Sequence, residues 1–67
     1  MIHTYEETRK WLLEYLALWG ETDAHFLMYA GPAKGHSTRN LHRAAEEDDR
    51  IHSERYGMSD ALHWSIR

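Results

Sequence analysis

Residues 58–66, Met-Ser-Asp-Ala-Leu-His-Trp-Ser-Ile, decide whether this chain is read as purely helical or as carrying a sheet. At helical spacing Met58, Ala61, Leu62, Ser65 and Ile66 share one face, and Ser59 stands where an N-cap belongs. At period two, Leu62, Trp64 and Ile66 alternate with His63, Ser65 and Arg67, as on a half-buried strand. The Ser59-Asp60-Ala61-Leu62 opening has the composition of a helix start, so a short helix is expected over 60–66.

Upstream, TRNLHRAAEEDDRIHSERY reads as one long helix over 38–56, capped by Ser37 or Thr38 and ended by Gly57. Its apolar stripe is thin: Leu41, Ala44, Ala45, Ile51 and Tyr56. The alanines would let its backbone lie close to a bulkier helix. The loop GPAKGHS, 31–37, precedes it. Before that, DAHFLMYA at 23–30 is too short for periodicity to separate helix from strand. Thr22 as a cap and Gly31-Pro32 as a stop favour a two-turn helix.

The strongest signal is YEETRKWLLEYLALW, 5–19. At about 100° per residue its apolar side chains fill an arc of roughly 220°. Thr8 and Arg9 are the polar intruders, and Glu6, Glu7, Lys10 and Glu14 occupy the remaining sector. Thr4 to Glu7 matches a capping box, and Gly20 marks the end. The expected fold is therefore all-α: one compact domain over 1–67, with three or four helices at about 5–19, 23–30, 38–56 and 60–66. The competing architecture is α+β, with short strands at 25–30 and 62–66 pairing beneath the two longer helices.

With 67 residues and no cysteine, the chain is a small domain without disulfides or thiolate metal sites. Domains of this size gain their stability from helix packing, self-association or docking on a partner. The net charge of −3 argues against general nucleic-acid or anionic-membrane binding. The N-terminus, MIHTYEETRK, has charges where a secretory leader carries its apolar core, and no apolar run reaches membrane-spanning length. A soluble cytoplasmic protein is the expectation.

Four constellations could carry chemistry. Asp48 falls in the stripe of the long helix, with His52 and Arg55 at i+4 and i+7, and is expected to form a local buried ion pair with them. His42, Glu46, Asp49 and His52 have some of the spacing of a helical metal site but lack the second carboxylate-x-x-His such sites need. No metal or other cofactor is expected. Lys34, His36, Arg39 and Arg43 form a basic segment around the loop, a candidate for phosphate or nucleic acid. The run Glu46-Glu47-Asp48-Asp49 behind it would repel such ligands. There is no Gly-x-Ser-x-Gly and no cysteine nucleophile, and no enzymatic activity is expected.

The fourth constellation is the aromatic surplus. If Leu12, Leu16 and Trp19 face the core, then Trp11, Tyr15 and Leu18 stay partly uncovered. Trp11, Tyr15, Leu18 and Trp64 are the expected contacts of a protein-interaction module. It would bind and modulate or inhibit a larger protein, in the manner of accessory proteins of phages and mobile elements, or associate with itself. Nucleic-acid or phosphate binding by residues 34–43 is the first alternative, and a His/carboxylate metal site the second.

Overall fold

The computed structural model describes residues 3–55 and 62–66, and it is α+β. Three helices, α1 (Tyr5–Trp19), α2 (Ala24–Ala33) and α3 (Thr38–Glu47), accompany three strands, β1 (Thr22–Asp23), β2 (Ile51–Arg55) and β3 (Leu62–Ile66). The all-α expectation is overturned: residues 51–55 and 62–66 form strands where helices were expected, and the competing α+β class is the correct one. Residues 56–61 and 67, which figure in the readings above, lie outside the described residues.

α1 occupies the expected span. The Thr4 side chain accepts from the Glu7 N–H at 3.3 Å, and the Glu7 carboxylate accepts from the Thr4 N–H at 2.8 Å. Both bonds of the capping box are thus made, satisfying donors that a helix start leaves orphaned. At the other end Gly20, at φ +79°, donates its N–H to the Leu16 carbonyl. Any side chain there would strain the left-handed turn.

α2 starts one residue later than expected, and its cap is Asp23, whose carboxylate accepts from the His25 N–H at 2.7 Å. The helix then runs through Gly31 and Pro32, where a stop was expected, to Ala33. Packing explains the extension. Gly31 is buried, and a Cβ placed on it would run into Leu41 Cδ1. The missing side chain lets α2 and α3 approach closely, which offsets the bond that Pro32 cannot make. Past the proline, Lys34 and His36 both donate to the Gly31 carbonyl and close the turn. The strand considered for 25–30 is therefore helix.

α3 begins as expected, with Ser37 accepting from the Asn40 N–H, but ends at Glu47 rather than near 56. Asp48 is extended, at φ −94° and ψ 113°, and its carboxylate takes the Arg50 N–H at 2.9 Å. A short acidic side chain that bonds the backbone two residues on offers the chain a turn in place of a helix. Four consecutive acids at the negative end of the helix dipole add to the preference for stopping. The chain reverses and enters β2.

The sheet is antiparallel, in the order β1-β3-β2. Trp64 of β3 lies opposite Thr22 on one side and Ser53 on the other, so the last described strand is the central one. The period-two alternation in 62–66 was the correct signal, and the strand is paired on both sides. α1 packs against α3 and β3, and α2 against α3, β1 and β3, giving a layer of helices over a small sheet. Leu12, Leu16, Ala24, Leu27, Leu41, Ala44, Ile51 and Trp64 form the core between them. Among the described residues, no helix is long and apolar enough to cross a membrane.

Candidate functional site

Trp11, Tyr15 and Trp19 follow one another at i, i+4 and i+8 on α1, so their rings rise along one side of the helix. The Trp11 and Tyr15 rings are 5.4 Å apart between centroids, and those of Tyr15 and Trp19 are 6.3 Å apart. Phe26 of α2 joins the row, 6.5 Å from Tyr15. Trp19 is 68% exposed, its neighbour Leu18 75% and Phe26 48%. Tyr29, one turn beyond Phe26 on α2, is 77% exposed. Trp11, Glu14, Tyr15, Leu18 and Trp19 line a shallow groove of about 250 Å³. Large apolar rings gathered in contact on a surface differ from the single exposed hydrophobes that any protein shows.

Three of the four expected contact residues lie here: Trp11 and Tyr15 are half-buried, and Leu18 is open. Trp64 is not one of them. It is 2% exposed, enclosed in the core with the His42 ring edge-on to it at 5.8 Å. Trp19 reverses the other way: expected in the core, it stands on the surface. It is the last residue of α1, and the chain turns away at Gly20 before anything covers the indole. Phe26 and Tyr29 were missed too. The signal was that AHFLMYA is apolar on every side, whereas so short a helix buries one face.

The opposite end of the row runs into the α2–α3 loop. His36, which a basic patch would need at the surface, is buried. Its ring stacks on Trp11 at 4.7 Å and on His3 at 4.3 Å, and Nδ1 shares a 2.8 Å hydrogen bond with the buried Thr8 hydroxyl. Burial lowers its pKa, the nearby His3 lowers it further, and Glu7 opposes the shift. Thr8, a polar intruder on the wheel, is thereby explained: it holds the imidazole. The other members of the basic segment lie at the surface. Lys34 and Arg39 are exposed, while Arg43 pairs with Glu47 and lays its guanidinium 4.0 Å over the Tyr5 ring.

Asp48 is buried, but not with His52 and Arg55. Its partners are Arg50, at 2.8 Å, and Arg9 of α1, at 3.2 Å. These bonds, chiefly those from Arg50, hold its carboxyl well below the usual carboxylate range despite the opposing effect of burial. The i+4 and i+7 geometry disappeared when the helix stopped at Glu47. His52 lies on β2 beside Glu54 at 3.3 Å, and Arg55 is exposed opposite Leu62. His42, Glu46 and Asp49 are exposed. Among the described residues, no three His, Asp or Glu side chains are grouped so as to hold a metal ion.

Such a row of rings can bury an apolar group or lie against a cation. No protein-family model matches the chain, and comparisons with curated proteins and with solved structures return no match either.

Proposed function

We propose that this protein works by binding, and thereby modulating, a larger protein through the aromatic face of α1 and α2. The observation that carries the proposal is the contiguous row Trp11, Tyr15, Trp19 and Phe26, with Leu18 and Trp19 more than two-thirds exposed. Tryptophan and tyrosine dominate the energetics of protein interfaces because they bury much area and lose little conformational freedom. A chain of 67 residues without a disulfide has little stability to spare for exposed rings with no use.

The test is site-specific photo-cross-linking in the native host. A photoreactive residue at position 18 should capture a discrete protein, the same residue at 53 on β2 should not, and Trp19→Ala should abolish the capture. Sedimentation equilibrium would separate a second copy of the chain from a different protein. A strictly monomeric protein with no cross-link at 18 that depends on Trp19 would overturn the proposal.

A further inference from the structure

The charges of this chain are segregated along it. All eight Lys and Arg lie at 9, 10, 34, 39, 43, 50, 55 and 67. Residues 11–33, which build the aromatic end, contain none, and carry Glu14, Glu21 and Asp23. Glu14 forms a wall of the groove between Trp11, Tyr15, Leu18 and Trp19. The last turn of α1 has no basic residue of its own, and the negative end of its dipole emerges beside Trp19. Lys10 and Lys34 stand around His3, Trp11 and His36, where they are matched by Glu7 and Glu14.

An indole face, a carboxylate and a helix C-terminus all attract positive charge. The molecule already uses this chemistry internally where Arg43 lies over Tyr5. We infer that the aromatic face docks a cationic amphipathic segment of its partner. Apolar side chains of that segment cover Trp11, Tyr15 and Leu18, while its Lys or Arg side chains lie beside Glu14 in the groove wall. This rests on the aromatic face being the binding face, and it adds the partner's chemistry.

The test uses three synthetic peptides that share one apolar stripe at i, i+3, i+4 and i+7 and carry lysine, glutamine or glutamate at every other position. Binding is followed by fluorescence anisotropy of the labelled peptide. The lysine peptide should bind at least about tenfold more tightly than the glutamate peptide, with the difference shrinking at high salt. Glu14→Lys, an exposed change that leaves the helix intact by circular dichroism, should reduce that preference severalfold. Equal affinity for all three peptides would overturn the cationic partner while leaving apolar docking at this face in place. Binding of none of them would also overturn it, and cross-linking at position 18 judges the underlying reading separately.

Discussion

At the α2–α3 corner, His36 lies with its ring between those of Trp11 and His3 and its Nδ1 on Thr8. The groups around it include Glu7, Lys10 and Glu14 on α1 and Lys34 in the loop. Its folded pKa lies below the ordinary 6.5, first because burial disfavours the imidazolium. As the pH falls, the unfolded chain therefore takes up this proton before the folded one does. The stabilisation is complete above about pH 6.5 and is lost as the pH drops towards the folded value. Proton NMR should give a His36 titration midpoint below 6.5, and the fold should loosen around Trp11 as that proton goes on; a midpoint at or above 6.5 would contradict the buried neutral ring. Gly31 is the second position where a few atoms decide a local structure. Gly31→Ala places a methyl against Leu41, which is itself wholly enclosed. Denaturant unfolding should show a loss of about 1–3 kcal/mol, the usual penalty for overpacking a filled core. Neither feature was legible beforehand: the histidine read as part of a basic patch and the glycine as a helix stop, because both owe their roles to neighbours distant in sequence.

Elements were legible in proportion to how far their signals were local. α1 could be read entire, cap, box and terminating glycine included, since every bond that sets its ends lies within a few residues. The start of α3 was equally clear from Ser37. Its end was not, because Asp48 acts through the Arg50 N–H and through Arg9 on another helix. That carboxylate therefore ends one helix, shapes a turn and ties both to α1. Asp48→Asn should lower the thermal midpoint at neutral pH and remove part of the acid limb of stability. The sign follows from a folded pKa depressed mainly by Arg50: the contribution is full above the ordinary carboxylate value near 4 and is lost as pH falls through the lower folded value. If wild type and variant lost stability in parallel below pH 4, the pairing would be without thermodynamic effect. β3 failed in the sequence reading for a related reason. Its alternation was visible, but a five-residue run takes its state from what pairs with it; one partner, β1, lies on the far side of α2 and α3 in the chain, and the other, β2, was itself read as helix.

Across the whole molecule the three tryptophans divide the labour. Trp64 is enclosed at the junction of sheet and helices, Trp11 is half-covered by His36 and Tyr15, and Trp19 is open. Chemical unfolding should separate them cleanly. Trp64→Ala should cost about 3–5 kcal/mol, enough to unfold a domain of this size, while Trp19→Ala should change stability by no more than about 0.5 kcal/mol. A Trp19 variant as crippled as the Trp64 variant would mean that the open indole is structural after all. The aromatic excess was visible in the composition, but its division into one core residue and one surface residue was not, because that depends on which elements end up facing each other. The topology also governs the order in which the protein can be made. β1 and β2 flank a strand that is translated after both, so a growing chain leaves the ribosome with its helices able to form and its two outer strands waiting for the middle one. Until Leu62 to Ile66 emerge, neither outer strand has the neighbour it pairs with, and the pocket that Trp64 will fill is empty.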